Sequence, residues 1–129
     1  MIETERRALQ CAVALACTVP LAMGGLSVLH GVTILKGASP AADLDSHFRY
    51  LSGLLLGIGL FYASGVPGIE RRRGRFLLRG GIVFVGGLGR LWSLVTVGTP
   101  SAIMLFALAM ELVVTPLLTL WQLRVARRA

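Results

Sequence analysis

Two charged residues, Arg90 and Glu111, fall inside long apolar stretches of this sequence. A charge near the middle of a membrane costs at least ~2.5–3.5 kcal/mol even on the lenient insertion scale. Arginine cannot lose its charge in a protein, so Arg90 is the residue that demands a partner. Only a short break separates its segment from that of Glu111, so the two segments form a hairpin and must be neighbours. At 1.5 Å per residue, Arg90 lies about 10 Å and Glu111 about 15 Å from the outer ends of their helices. An arginine side chain bridges that difference. The pattern predicts a buried Arg90–Glu111 ion pair, with Ser93 or Ser52 as further hydrogen-bond partners. His30, His47 and Arg49 lie toward the outer ends of their own segments. Three chemistries fit this outward-half constellation. One is a structural ion pair with interfacial histidines. Another is a polar-headed cavity for a lipid headgroup or small anion, with Arg90, Glu111, Arg49, His30, Ser93 and Ser52 as binding residues. The third is a proton path through His30 and Glu111.

Other reactive sets are missing from the sequence. No Ser-His-Asp set, paired carboxylates, phosphate loop or redox-cofactor motif can be assembled. Two histidines at separate segment ends do not match haem ligands on facing helices. Cys11 and Cys17, six residues apart, lie on different sides of a helix. They have no partner spacing for zinc, haem attachment or an iron–sulfur cluster. The expectation is no catalytic residue, no metal ligand, no cofactor and no enzyme activity.

The elements that must hold these residues follow from composition. The chain has 129 residues, is 55% hydrophobic and has a mean hydropathy of +0.77. That leaves no room for a soluble core inside a polar shell. A helix needs ~20 mostly apolar residues to cross a hydrocarbon layer of roughly 30 Å, so four spans use nearly the whole chain. The expected fold is all-α: a four-transmembrane-helix bundle, one integral membrane domain over residues 1–129. Its spans cover about residues 9–35, 47–66, 76–97 and 101–123. Pro20 is placed to kink the first span. Residues 67–75 combine a Pro-Gly turn with a charge cluster, and Gly98-Thr99-Pro100 makes a tight turn. The apolar run continues past Cys17 to Leu35, which suits a retained span rather than a cleaved leader.

Each span carries a stripe of small or polar residues at helical spacing. Among them are Ser52, Gly53 and Gly57 on the second, Gly86, Gly89, Arg90 and Ser93 on the third, and Glu111, Thr115, Thr119 and Gln122 on the fourth. Lipid tails reward no polar group, so these stripes are expected to face other helices. Gly53, Gly57, Gly86 and Gly89 are the predicted sites of close helix packing.

The net charge of +7 and pI near 11.1 bring nucleic acid to mind, but the basic residues sit at span ends, as membrane topology requires, and no nucleic-acid partner is expected. Arg6 and Arg7, the Arg71–Arg75 cluster with Arg79, and the tail arginines share one side of a four-pass chain. The positive-inside rule then puts both termini in the cytoplasm, with the protein in a bacterial inner membrane. Arg71, Arg72, Arg73 and Arg75 are the expected contacts to anionic lipid headgroups, each worth roughly 1 kcal/mol near the surface.

Two stretches carry a family likeness. One is Arg49-Tyr50-Leu51-Ser52-Gly53 followed by Gly57. The other is Gly86-Gly87-Leu88-Gly89-Arg90-Leu91-Trp92-Ser93 followed by Gly98-Thr99-Pro100, with Glu111 in the next helix. Together they resemble a bacterial family of small four-pass proteins known as domain of unknown function 4345. The resemblance implies a four-helix membrane fold and supplies no reaction, ligand or cofactor. A more distant likeness, to the four-pass scaffold that gathers sterol-synthesis enzymes in the endoplasmic reticulum, implies an accessory role. The combined expectation is a non-enzymatic accessory or scaffold protein that acts through helix–helix contacts. Its expected partners are membrane lipids and either a membrane protein or a second copy of the chain. The alternative is a carrier of a lipid or small amphiphile held at Arg90 and Glu111, and a third reading is a small transporter or channel.

Overall fold

The computed structural model describes residues 2–129. Among these residues there are helices and no strands. Four long helices follow in order. They are α1 (Ile2–His30), α2 (Ala42–Ala63), α3 (Arg73–Thr96) and α4 (Ala102–Arg128). Short 3-10 turns at Gly31–Ile34 and Ile69–Arg71 lie after α1 and before α3. Three stretches are long and apolar enough to cross a membrane: Ile2–Ile34, Arg73–Thr96 and Ala102–Arg128. The second expected span falls short. Asp43, Asp45, His47 and Arg49 occupy the first two turns of α2. Its mainly apolar remainder, residues 51–63, is about 20 Å long at 1.5 Å per residue, against the roughly 30 Å of a hydrocarbon core.

Leucine, isoleucine, valine and phenylalanine side chains point outward along all four helices; Leu15, Leu29, Val85 and Val95 are among the most exposed. The buried positions include several glycines, with Ser27, Ser52, Arg79, Thr119 and Gln122, beside a small set of apolar side chains such as Leu9, Val13, Ile69, Phe76 and Val125. This is the distribution that a lipid surround permits, because hydrocarbon solvates leucine as well as a protein core does.

The chain divides into two compact units. The unit spanning Cys11–Val66 pairs α1 with α2 in antiparallel fashion. Its crossing is set by two glycines. A Cβ added to Gly24 would lie 2.6 Å from the Leu56 backbone nitrogen, and one on Gly59 would lie 3.1 Å from that of Leu21. Backbone packs on backbone there, which only glycine allows. At its far end α1 stops at Gly31, whose φ of +69° is a conformation that L side chains avoid.

The second unit contains the chain up to Gln10 and Pro67–Ala129. Here α3 and α4 pack as a hairpin. Gly80 abuts Thr119, and Gly87 abuts Leu112 and Glu111. Gly80 and Gly87 are seven residues apart, two turns of one face. Beyond Thr119 the buried Gln122 donates from Nε2 to the Ile69 carbonyl at 2.7 Å, tying the 3-10 turn to α4. Arg79 is also buried, with its guanidinium carbon 5.5 Å from the centre of the Phe76 ring.

The fourth helix is not uniform. Its turns at Met110–Val114 widen into a π-helix before α-helix resumes at Thr115. Pro116 gives the reason. It lacks an N–H for the Leu112 carbonyl, and its ring crowds the preceding turn. The wider turn relieves that clash. The Thr115 hydroxyl donates to the Met110 carbonyl at 2.9 Å and satisfies an acceptor that the irregular turn exposes.

Candidate functional site

The α3–α4 hairpin brings Arg90 and Glu111 together. Arg90 Nε donates to Glu111 Oε1 at 2.9 Å. At 1.5 Å per residue, Arg90 lies about 9 Å before the end of α3 and Glu111 about 14 Å from the start of α4. Three features place the pair. Gly87, one turn before Arg90, admits the α4 backbone, since a Cβ there would lie 2.9 Å from Glu111 Cβ. Glu111 falls in the first turn of the π segment. Met104, two turns before Glu111 on the same face of α4, accepts a hydrogen bond from Arg90 Nη1 through its sulfur at 3.3 Å.

The pair is only partly enclosed. The Glu111 side chain is 15% exposed and that of Arg90 37%. Glu111 Oε2 is buried and has no hydrogen-bond partner among the described residues. The guanidinium binds one carboxylate oxygen and a thioether, short of the two-pronged carboxylate clamp that arginine makes best. A thioether is a weak acceptor. The site is therefore an ion pair with spare donors on one side and a spare acceptor on the other.

The serines expected beside Arg90 do other work or stand apart. Ser52 is buried, and its hydroxyl donates to the Phe48 carbonyl of its own helix at 2.7 Å. Ser93 is exposed. Met104 takes the place expected of them. Its seven-residue spacing puts it on the same face as Glu111, but nothing in the sequence marks it as an acceptor.

Arg49 and His30, also expected as ligand-binding residues, lie at the end of the α1–α2 hairpin. Arg49 Nη1 donates to the Val28 and Leu29 carbonyls at 2.7 and 3.2 Å. Its Nε donates to Asp45 Oδ2 at 2.8 Å, and Asp45 Oδ1 accepts from the Val32 amide at 2.8 Å. These are the terminal groups that a helix leaves without intrahelical partners. Arg49 and Asp45 thus close the end of α1 from the neighbouring helix. The Val32 amide and the Arg49 guanidinium hold the Asp45 carboxyl below the usual aspartate range. Gly31 lies against both side chains and leaves no room for a Cβ. His30 is exposed and donates from Nδ1 to the Leu26 carbonyl at 2.9 Å, one turn back on its own helix.

The four glycines expected at helix contacts are placed differently. A Cβ at Gly57, Gly86 or Gly89 would meet nothing within 4 Å, and one at Gly53 would meet only Val28, at 4.0 Å. Gly57, Gly86 and Gly89 are exposed. The tight approaches fall at Gly24, Gly59, Gly80 and Gly87. On α3 the difference is one residue, and one residue is about 100° around a helix.

A third polar region lies at the opposite end of the α3–α4 hairpin. Glu5, in the first turn of α1, pairs with Arg124 at 3.2 Å and Arg128 at 3.5 Å. Arg6 reaches Glu3 at 2.7 Å and Glu70 at 3.6 Å. The start of α1, the turn before α3 and the end of α4 therefore converge. Arg71, Arg72 and Arg75 line an open cleft of about 560 Å³ between that turn and the start of α3, with Gly68 and Gly74. Arg73 is exposed beside them. Among the described residues no group of three or more His, Cys, Asp or Glu side chains is placed to hold a metal ion.

Comparison with protein families gives a match over residues 8–122 to a domain of unknown function, DUF4345. Neither the curated proteins nor the solved structures compared with the chain yield a match. The matched region takes in both hairpins, the Arg90–Glu111 pair and the Arg49–Asp45 helix closure, and the chain belongs to the DUF4345 family.

Proposed function

We propose that this protein is a non-enzymatic accessory or scaffold of the bacterial inner membrane that works through helix–helix contacts. The observation that carries the reading is the set of exposed glycines, Gly57, Gly86 and Gly89, which have no neighbour within 4 Å of a built Cβ. Glycine in a lipid-facing helix interior offers little to lipid, but it lets a second helix approach closely. The described polar side chains are largely committed to helix ends and ion pairs, which supports a role without chemistry. The test is the state of the protein in gentle detergent and in native membranes. Crosslinking is expected to capture a second copy or a larger membrane protein, and Gly86→Leu with Gly89→Leu is expected to abolish the capture. Recovery of isolated monomer alone would count against the reading.

The topology we infer is four-pass with both termini cytoplasmic. The contact of Arg6 with Glu70 supports it, because a chain that leaves along α1 and returns to the same end by residue 70 has crossed an even number of times. The Arg49–Asp45 closure also favours a crossing α2, since it neutralises two of the three permanent charges in the first turns of that helix.

A second reading rests on the incomplete coordination of Arg90. A lipid or small amphiphile with an anionic head would take the guanidinium donors that one carboxylate oxygen and Met104 leave free. Native mass spectrometry of the purified protein is expected to show a co-purified amphiphile that is lost in Arg90→Leu. A bare wild-type mass would sink this reading.

A further inference from the structure

We propose that the cleft lined by Arg71, Arg72 and Arg75 is a discrete seat for the phosphate of an anionic phospholipid. The claim goes beyond a general attraction of basic residues to membranes, and four observations converge on it. The cleft is a shallow, open depression of about 560 Å³ between the turn at residues 67–72 and the first turn of α3. Open space lies over its two glycines, since a Cβ on Gly68 or Gly74 would meet nothing within 4 Å, and Gly68 turns the chain with a φ of +65°. Guanidinium groups are planar donor forks that match phosphate oxygens in pairs.

The local acid is largely buried and shared between Arg6 and Arg71. Glu70 is only 11% exposed and is engaged by Arg6 at 3.6 Å, while Arg71, 87% exposed, reaches it only at 3.8 Å. Arg72, Arg73 and Arg75 have no carboxylate partner among the described residues. The charges of Arg72 and Arg75 are thus left uncompensated by the protein, while Arg71 shares Glu70 with Arg6.

The charge also stands at an unfavourable place. The first turn of α3 contains no acidic residue, and no side chain caps its amides. A helix N-terminus carries partial positive charge, so arginines there repel it and each other, and a bound anion reverses that penalty. Finally, the position favours a lipid over a free ion. α3 is apolar enough to cross a membrane, so its start lies where hydrocarbon gives way to headgroups. Leu77 and Leu78, one turn into the helix from the cleft, are 45% and 60% exposed and present apolar surface to acyl chains.

The experiment uses the full-length protein in mild non-ionic detergent, with native mass spectrometry to titrate phosphatidylglycerol, phosphatidylcholine and inorganic phosphate. One phosphatidylglycerol per chain is expected to bind, and phosphatidylcholine is expected not to compete. Arg71→Gln, Arg72→Gln and Arg75→Gln together are expected to weaken binding roughly a hundredfold, from three basic residues near the surface. The triple change Arg7→Gln, Arg124→Gln and Arg127→Gln removes the same charge from the same end of the unit. It leaves Glu3 with Arg6 and Glu5 with Arg128, and it is expected to leave binding nearly unchanged. Lysine at 71, 72 and 75 keeps both charge and fold. It is expected to weaken binding about tenfold, because an ammonium group cannot make the paired contact. This variant decides the matter if the glutamine triple does not fold. Equal loss in the two glutamine triples, or wild-type binding by the lysine variant, would reduce the site to diffuse charge and overturn the proposal. Displacement of the lipid by millimolar inorganic phosphate would assign the cleft to a soluble anion and overturn the lipid assignment.

Discussion

The polar side chains in the described helices do two separate jobs, and single substitutions distinguish them. Arg90 and Glu111 are coupled directly, through one hydrogen bond of 2.9 Å. Arg90→Leu leaves the Glu111 carboxylate with neither oxygen paired, which is more costly than removing both groups. Arg90→Leu is therefore expected to destabilise the fold, and the double variant with Glu111→Leu to recover part of the loss. The coupling energy should fall at about 1–3 kcal/mol in a double-mutant cycle read by denaturant unfolding in detergent. Simple additivity would mean that the residues do not interact. This pair was legible in the sequence because a permanent charge deep in an apolar stretch has few ways to survive. Met104 was not legible, since nothing in the sequence marks one methionine among several as a hydrogen-bond acceptor. The role of Arg49 at the end of α1 was hidden for a related reason: the carbonyls it takes there become visible only once the helix end is located. Its partner Asp45 makes a pH prediction. The Asp45 carboxyl titrates lower in the folded chain than the value of about 3.9 expected unfolded. Its contribution is therefore fully present above about pH 4 and is lost as pH falls through the depressed folded value. The melting temperature of the wild type should drop over that acid range, and Asp45→Asn should flatten the drop. A wild-type and variant pair with parallel profiles would remove Asp45 from the account.

At the scale of elements, helix type and order follow directly from apolar run lengths and from the Pro-Gly and Gly-Thr-Pro breaks. What periodicity could not fix was which glycine of a cluster faces the partner helix. α3 holds Gly80, Gly81, Gly86, Gly87 and Gly89, and every choice among them looks alike until the helix is rotated into place. The contact to Leu112 and Glu111 selects Gly87. Gly87→Leu should force the hairpin apart at a cost of about 1–3 kcal/mol, the usual range for overpacking. Gly86→Ala should be neutral or stabilising by up to about 1 kcal/mol in an isolated monomer, since glycine is the weaker helix former and open space surrounds it. Unfolding of the two variants side by side checks the rotation of α3, and equal destabilisation would contradict it. The π segment was likewise hidden. Its cause, Pro116, is visible in the sequence, but a proline can kink a helix, end it or widen it. The Thr115 hydroxyl on the Met110 carbonyl supports the widened form here.

On the scale of the molecule, one arrangement links charge, path and membrane. Acidic residues near the start of α1 and in the turn before α3 meet arginines from α1 and from the end of α4. Three points far apart in sequence thus gather at one end of the same unit. Nearly all the basic residues gather there too. The remainder, Lys36, Arg49 and Arg90, lie elsewhere, and two of these are paired with Asp45 and Glu111. The asymmetry is the one that orients membrane proteins with the basic end inward. The short element is α2, whose polar first turns leave a mainly apolar length of about 20 Å at 1.5 Å per residue. Lipid thinning and long flanking side chains accommodate such a deficit at modest cost. If α2 crosses, the N-terminus, residues 71–75 and the C-terminus share a side, and residues 36–40 share the other side with Gly98. If α2 lies on the surface, residues 71–75 stand across the membrane from the N-terminus, and the Arg6–Glu70 contact cannot form. Single cysteines at positions 7, 73, 127, 38 and 99, in a chain whose Cys11 and Cys17 are serine, separate the cases. With a membrane-impermeant thiol reagent on intact spheroplasts, only positions 38 and 99 should label. Positions 7, 73 and 127 should label together once the membrane is opened. Labelling of position 73 from outside would remove the crossing of α2, and with it the common basic end to which the rest of the topology is tied.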